Sequence, residues 1–269
     1  VGRALWALGA TVQLAPDEGA RRLAREMFDR AIVPVREFGP RGQALAMMGL
    51  DAILHDELDN VPIRETLDAL ANDLCQRFQR EADADWRWFE PTLTYDNAMI
   101  PLALFAAFRV TANPLHLRLA TESLRFLEDV CFAAPSEAGE RVAGGYLTLV
   151  GNRGWHERGG AMAKPEADEQ PIDATAFVLA FRGAYLATGE RRYLRRMRES
   201  FDWFLGGNRL GIHLYDFATG GCRDGLGLRD ASQNQGAEST VSFLTALLTM
   251  LDVGGHGEGD ADADRDAVD

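Results

Sequence analysis

Basic residues are scarce in this sequence. Its 28 Lys and Arg residues stand against 41 Asp and Glu residues, which gives a formal net charge of −13. A chain with this balance repels phosphate backbones and anionic lipid surfaces on average. The composition therefore argues against nucleic acid as a partner.

Long apolar runs are also missing. The longest apolar stretches, such as residues 98–107, are far shorter than the roughly 20 residues that a bilayer span requires. The chain opens within a helical pattern of Leu5, Trp6 and Leu8, without the anatomy of a signal peptide. We expect no membrane segment, a cytoplasmic location, and further residues upstream of Val1.

Cysteine is rare, with only Cys75, Cys131 and Cys222 far apart in 269 residues. An odd number of distant cysteines does not indicate a disulfide framework, and two of them fall in helical patterns where a buried free thiol is common. We predict free thiols and a reducing compartment.

Sequence signatures of several chemistries are absent. The five histidines show no His-x-His, His-Glu-x-x-His or Cys-x-x-Cys spacing, so we predict neither a metal site nor a cofactor. A Gly-x-Ser-x-Gly motif is absent too, which removes the sequence support for a serine hydrolase.

What the sequence does contain is helical periodicity. Apolar spacings of three and four recur, strand-like alternation is nearly absent, and Pro16, Pro62 and Pro114 stand near predicted first turns. The pattern predicts an all-α protein. The predicted helices are residues 2–14, 17–34, 41–57, 63–82, 96–111, 115–131, 172–188, 190–206 and 236–251.

A helix hairpin repeats within the chain. Residues 96–126 align with residues 173–203 at a constant offset of 77, with matched Glu-Ser pairs in the second helix of each copy. The first helices are rich in small and apolar residues and the second helices in charge, as expected for an inner ring wrapped by an outer ring. This arrangement predicts an α/α toroid of helix hairpins that is incomplete at its N-terminus.

Connections between the hairpins are much longer than those within them. The two longest are residues 132–172 and 207–235, and loops of this length in a compact domain are usually functional or disordered. In a hairpin ring such loops emerge at the same end, so we predict that they converge. The toroid is expected to occupy residues 1–253, followed by an acidic disordered tail at residues 254–269.

Acidic residues near the predicted starts of inner helices are the candidate catalytic groups. Glycoside cleavage requires two carboxyl groups across the scissile bond. Acids at helix N-termini also serve as ordinary caps, so convergence of the set is what favours a site. The candidates are Asp96, Glu157, Asp173 and Glu238.

Aromatic, amide and further acidic side chains in the same segments are the candidate substrate-binding groups. Aromatic faces stack on sugar C–H groups, while amides and carboxylates bind hydroxyls. A Gly-rich surface loop with one Trp in the core is the alternative interpretation of residues 151–160. The candidates are Trp88, Tyr95, Asn97, Trp155, His156, Asp168, Gln170, Asp224, Asn234 and Gln235.

Five motifs together resemble a bacterial six-hairpin-glycosidase-like domain found in or beside glycosyltransferase proteins. They are GRALWALG at residues 2–9, LTYDNA at 93–98, the Gly-rich segment 151–160, EQPID at 169–173 and NQGAEST at 234–240. The resemblance implies a toroid that acts on sugars, with an oligosaccharide substrate and a glycosyltransferase domain as a possible partner. The chain departs from the family at Glu169, where an amide is usual.

These observations predict a glycan-processing protein of the glycoside hydrolase type, with a carboxylate pair on the rim that bears the loops. Two alternatives stay open. One is a non-catalytic sugar-binding domain that accompanies a glycosyltransferase. The other is a sugar epimerase or isomerase, in which His156 and His213 would transfer protons.

Overall fold

The computed structural model describes residues 1–133, 145–160 and 164–263, with the side chains of residues 254–263 left aside. It divides the chain into two compact units. Unit 1 comprises Val1–Asp129, Glu157–Gly159 and Leu186–Gly189, and unit 2 comprises Val130–His156, Gly160–Tyr185 and Glu190–Asp269. Residues 264–269 of the predicted acidic tail lie outside the described residues, and the boundary at residue 253 stays a prediction.

Helices dominate the described residues, as the periodicity predicted. The α-helices are α1 (Gly2–Leu14), α2 (Glu18–Ala31), α3 (Pro40–Asp56), α4 (Val61–Glu81), α5 (Met99–Thr111), α6 (Pro114–Cys131), α7 (Pro171–Thr188), α8 (Arg192–Asp202) and α9 (Ala237–Ala263), with a 3-10 turn at Val35–Glu37. The strands have two residues each: β1 (Thr92–Leu93), β2 (Phe132–Ala133), β3 (Tyr146–Leu147) and β4 (His156–Glu157). None of the helices in the described ranges is long and apolar enough to cross a membrane.

The helix starts follow from local chemistry. The Asp17 carboxylate accepts a hydrogen bond from the Ala20 amide at 2.7 Å, and Asn60 Oδ1 accepts one from the Ile63 amide at 3.2 Å. Each satisfies an amide that has no partner within its own helix. Pro62 and Pro114 stand in the first turns of α4 and α6, where a missing N–H costs little.

Unit 1 is built on a close approach of α1 and α3. A Cβ atom on Gly9 would lie 2.6 Å from the Cα atom of Gly49, and one on Gly2 would lie 2.8 Å from the carbonyl oxygen of Gly42. The two backbones are therefore in direct contact. Leu5, Met47 and Leu50 are almost fully buried beside this crossing.

Aromatic rings form the core of unit 2. Phe201 on α8 stacks on Phe243 of α9 with ring centroids 5.9 Å apart, and Tyr215 stacks on the same Phe243 at 4.2 Å. Antiparallel β2 and β3 pair Phe132 with Leu147. These contacts anchor the loops that lead into and out of α7 and α8.

The hairpin repeat has a structural counterpart. Ala112 and Gly189, at the offset of 77, both adopt left-handed backbone conformations with φ of 54° and 71°. Ser123 and Ser200 are both fully buried, and each donates to the carbonyl oxygen four residues earlier, at 2.7 and 2.8 Å. The two copies differ at their starts, because α7 begins two residues before Asp173 whereas α5 begins three residues after Asp96.

The three cysteines are free and buried, as predicted. Burial raises the pKa of Cys75 and Cys131 to about 11 and that of Cys222 to about 12. Because the thiolate is the reactive form, these are inert core thiols.

Candidate functional site

A polar cleft of about 730 Å³ opens in unit 2, between two stretches that both belong to the predicted long loops. Its volume lies within the range of about 300–1,000 Å³ that is usual for small-molecule sites. The predicted convergence of these two loops is confirmed within unit 2. The lining residues are Asn152, Arg153, Asp168, Gln170, Asp224, Gly225, Gly227, Leu228, Arg229, Asp230 and Ser232.

A smaller cavity of about 290 Å³ lies at the starts of α7 and α9. Gln170 and Asp224 line both this cavity and the larger cleft, so the two share a wall. Glu238, in the first turn of α9, lines the smaller cavity. The structure therefore brings four predicted residues together: Asp168, Gln170, Asp224 and Glu238.

Three donors hold the Asp224 carboxylate in place. Its Oδ1 atom accepts hydrogen bonds from the Gly236 amide at 2.6 Å and the Ser239 hydroxyl at 2.8 Å, and its Oδ2 atom accepts one from the Asn234 amide group. Burial raises the pKa of Asp224, but these hydrogen bonds outweigh it and hold the pKa below its usual range. The carboxylate is therefore fixed and ionised near neutral pH.

Asp168 is held on the other stretch of the cleft wall. Its Oδ2 atom accepts a hydrogen bond from Arg153 Nε at 3.0 Å, and its carbonyl oxygen accepts one from the Asn152 amide at 3.2 Å. A Cβ atom on Gly151 would lie 2.5 Å from the carbonyl carbon of Ala167, so only glycine permits this approach. Sequence reasoning singled out the loop that contains Asn152 and Arg153, but chose its aromatic, imidazole and carboxylate side chains at residues 155–157.

Glu169 is a buried acid that the sequence analysis noted only as a departure from the family. It is 0% exposed, its Oε2 atom accepts from Trp203 Nε1 at 2.8 Å, and its Oε1 atom accepts from Arg209 Nε at 2.9 Å. Burial raises the pKa of Glu169, although the Trp203 hydrogen bond and the Arg209 charge oppose that rise. The side chain lines neither cavity, and so it acts on the cleft only through its neighbours.

Asp173 lies in the first turn of α7 and is 6% exposed, and it lines neither of the two cavities. The Lys164 ammonium, also in unit 2, donates to Thr148 at its carbonyl oxygen (2.5 Å) and at its hydroxyl (3.1 Å). Burial lowers the pKa of His156, and the Lys164 charge lowers it further. The imidazole is therefore neutral near pH 7.

The predicted residues around Asp96 form a separate cluster in unit 1. Arg41 donates to the Tyr95 carbonyl oxygen at 2.5 Å, to Asn97 Oδ1 at 2.6 Å and to Glu90 at 2.5 Å. Asp96 is 3% exposed, adopts a left-handed conformation with φ of 55°, and lies 3.7 Å from the Arg3 guanidinium. The cluster is built around the Arg41 guanidinium, whose side chain is 12% exposed and which the sequence analysis missed.

Three other predicted residues, Trp88, Trp155 and Glu157, line neither cavity. Trp88 is fully buried with Phe89 and Phe126 as ring neighbours, and therefore has no exposed face for stacking. Trp155 is 39% exposed, and Glu157 is exposed in β4.

The two predicted amides, Asn234 and Gln235, bond acids of the second long loop, whereas the histidine pair of the epimerase alternative does not border the cleft. Asn234 is a donor to Asp224, while Gln235 donates to Asp216 at 2.9 Å. Neither His156 nor His213 lines either cavity. In the part of the chain that the structure describes, no group of His, Cys, Asp and Glu is arranged to hold a metal ion.

Comparison with known proteins finds similar solved structures at low sequence identity. No protein-family model and no curated protein matches the chain. An unsaturated glucuronyl hydrolase from Bacillus sp. GL1, responsible for the degradation of glycosaminoglycan, has a TM-score of 0.64 at 14% identity, over 93% of this chain and 66% of that one. An unsaturated glucuronyl hydrolase specific for heparin has a TM-score of 0.54 at 11% identity, over 76% of this chain and 56% of that one.

An epimerase is similar as well. Cellobiose 2-epimerase from Bacillus thermoamylovorans B4167 has a TM-score of 0.59 at 12% identity, over 93% of this chain and 74% of that one. The chain spans less than two thirds of the length of either hydrolase. These likenesses show the fold, which is the predicted all-α, six-hairpin glycosidase-like α/α toroid.

Proposed function

We propose that the chain is a carbohydrate-active protein that binds a saccharide in the cleft of unit 2 and cleaves a glycosidic bond there. The observation that carries this proposal is the position of Asp224. It borders both cavities, and three donors hold it ionised.

The lining of the cleft suits a polyhydroxylated ligand. Sugar hydroxyls both donate and accept hydrogen bonds, and the cleft offers acceptors in Asp168 and Asp230, donors in Arg153, and amides that do both in Asn152 and Gln170. The fold is shared with proteins named as glucuronyl hydrolases and as a cellobiose epimerase. Since one fold hosts many reactions, the fold supports the saccharide class and the cleft supports the chemistry.

Hydrolysis needs a second carboxyl group beside the ionised one. We assign Asp224 as the nucleophile, because its lowered pKa keeps the carboxylate ionised, whereas a low pKa makes a weak general base. Glu238 is the second carboxyl group, because it lines the cavity that Asp224 also lines and is exposed to solvent. Asp168 accepts from Arg153 and serves binding rather than proton transfer.

The other predicted catalytic residues do not enter this proposal. Asp96 and Glu157 belong to unit 1, and Asp173 lines neither cavity. Their roles, an association with a glycosyltransferase, and the epimerase alternative stay predictions.

The proposal is tested by saccharide binding and turnover with two variants and a matched control. Asp224→Asn and Glu238→Gln should each lower turnover of a cleaved oligosaccharide at least about 100-fold, as expected for loss of a carboxyl group that acts in the reaction. Asp216→Asn is the control, because Asp216 also accepts hydrogen bonds from backbone amides and from Gln235, has a lowered pKa, and lines neither cavity. It should retain wild-type turnover.

The outcomes separate the alternatives. Saccharide binding without turnover in every form would replace the enzyme by a sugar-binding accessory domain. Equal losses in Asp224→Asn and Asp216→Asn would assign Asp224 a structural role at the start of α9. Failure to bind any saccharide in a broad panel would overturn the proposal.

A further inference from the structure

Arg209 joins the two stretches of chain that form the walls of the cleft in unit 2. Its side chain is 9% exposed. The guanidinium donates to the carbonyl oxygen of Glu166 at 3.0 Å on one stretch, and to the carbonyl oxygens of Leu228 at 3.0 Å and of Gly227 on the other. One side chain therefore bonds both walls.

A buried acid, Glu169, binds the same guanidinium. Arg209 Nε donates to Glu169 Oε1 at 2.9 Å, and the remaining oxygen of Glu169 accepts from Trp203. The rigid, planar fork of arginine allows these bonds to form together, which the single ammonium of lysine does not. The orientation of the fork is therefore fixed.

A backbone bridge reinforces this connection. The Glu169 amide donates to the Leu226 carbonyl oxygen at 3.0 Å, and the Leu226 amide donates to the Glu169 carbonyl oxygen at 2.9 Å. Asp168 precedes Glu169 and Gln170 follows it, while Asp224 lies two residues before Leu226. The polar side chains of the cleft thus flank the bridge that Arg209 and Glu169 hold.

We propose that Arg209, anchored by Glu169, is the positioning residue that sets the separation of Asp168 and Gln170 from the loop of Asp224 to Ser232. This inference rests on the proposed function for its consequence in catalysis. The hydrogen bonds of Arg209 to Glu169 and to the two stretches form a clamp. This clamp is a property of the chain and can be tested without a saccharide. Arg209 bonds carbonyl oxygens of the two stretches, so its effect on the reaction passes through the backbone of residues 166 and 227–228.

The clamp is tested by hydrogen exchange at individual amides in the Arg209→Lys variant. The amides of Leu226, Gly227 and Ser232 make hydrogen bonds within or beside the loop and serve as reporters. Their exchange should accelerate at least about tenfold, while the slowest amides of α8 and α9 change little. Arg196→Lys is the matched control, because Arg196 also pairs with an acid of unit 2, Glu199 at 2.7 Å, and lines neither cavity.

Glu169→Gln gives a milder perturbation in case Arg209→Lys does not fold. The glutamine oxygen can still accept one of the two hydrogen bonds, while its NH2 group cannot accept the other, so the reporters should accelerate by a smaller factor than in Arg209→Lys. Unchanged exchange in the loop, or an equal increase throughout unit 2, would overturn the positioning role and leave Arg209 as a general stabilising residue.

Saccharide kinetics add the catalytic consequence. If Arg209→Lys displaces the two stretches that line the cleft, kcat should fall by a larger factor than KM rises, because alignment of reacting groups matters most in the transition state. If the wild type binds no saccharide, the proposed function fails while the exchange result still decides the clamp. If turnover is unchanged although the loop exchanges faster, the clamp holds the loop without positioning the reaction, and the inference is overturned.

Discussion

Gly9 and Gly49 bring the backbones of α1 and α3 into direct contact: a Cβ atom on Gly9 would lie 2.6 Å from the Cα atom of Gly49. No side-chain rotation relieves such a clash, because the atom that opposes the new methyl group belongs to the main chain. The crossing therefore requires glycine at this point.

Gly9→Ala should destabilise the protein by about 1–3 kcal/mol, the usual range for overpacking, despite the higher helix propensity of alanine. The free energy of unfolding from urea denaturation measures this loss. Gly39→Ala is the control, because a Cβ atom there meets nothing within 4 Å, and as the N-cap of α3 it should cost only about 0.5–1 kcal/mol for the poorer cap. Equal effects of the two variants would contradict close packing at Gly9.

Substitutions at Ala112 and Gly189 should have opposite effects on the stability of the protein. Both residues have positive φ, which costs an L side chain about 1–2 kcal/mol. Ala112→Gly should therefore stabilise the protein by about 0.5 kcal/mol once the greater freedom of glycine in the unfolded chain is subtracted. Gly189→Ala, with open space around the new methyl group, should destabilise it by about 0.5–1 kcal/mol. Thermal unfolding would contradict this account if both variants shifted Tm in the same direction.

The raised pKa of Glu169 predicts a pH-dependent contribution to stability. An acid whose pKa is higher in the folded state binds its proton more tightly there, so its contribution is full below the unfolded value of about 4.3 and is lost as pH rises through the folded pKa. The difference in unfolding free energy between wild type and Glu169→Gln should therefore fall as pH rises above about 4.3. Urea denaturation at several pH values measures it, and a difference that grows with pH would show that the Arg209 charge dominates over burial.

The buried imidazole of His116 in unit 1 predicts the opposite dependence of stability on pH. Its ring is 0% exposed, and burial lowers its pKa although Asp68 opposes the change. The Thr111 hydroxyl already donates to the Ala107 carbonyl oxygen, so it accepts from Nδ1–H of His116 at 3.1 Å, and in the neutral ring Nε2 accepts from the Asn113 side-chain amide at 3.3 Å.

A base whose folded pKa is depressed contributes stability above its unfolded pKa, about 6.5, and loses it as pH falls through the folded pKa. The unfolding free energy of the wild type should drop more steeply below about pH 6.5 than that of His116→Gln. Parallel pH profiles for the two proteins would contradict the assignment of a neutral, buried imidazole.

Much of the fold was predictable because helices carry their signals locally. Asp17 and Asn60 cap the helices that follow them, and Pro62 and Pro114 stand in first turns, so apolar periodicity and caps placed most helix ends within a few residues. The meeting of the two long loops followed from hairpin geometry alone. The shared left-handed turn at Ala112 and Gly189 gives the repeat a physical basis.

The arrangement of the site was less predictable, because much of it depends on main-chain partners. Arg209 bonds three carbonyl oxygens, and a carbonyl oxygen exists at every residue, so no sequence pattern marks it. Asp224 was predicted as a binding residue, but its lowered pKa depends on the Gly236 amide and on Ser239, which only the folded loop brings to it. Trp88 illustrates the converse, because an aromatic residue near a loop gives no sign of whether its ring is exposed.

Lys164, whose ammonium bonds Thr148 in unit 2, is the one lysine in the sequence. Reagents that acylate side-chain amines consequently have a single target among the 269 residues, and that target lies in the same unit as the cleft. Peptide mapping separates a label on Lys164 from one on the terminal α-amine, and the rate of labelling at Lys164 would report how often the amine leaves Thr148. The protein thus carries a built-in chemical reporter, which can be read by mass spectrometry without the introduction of any foreign residue.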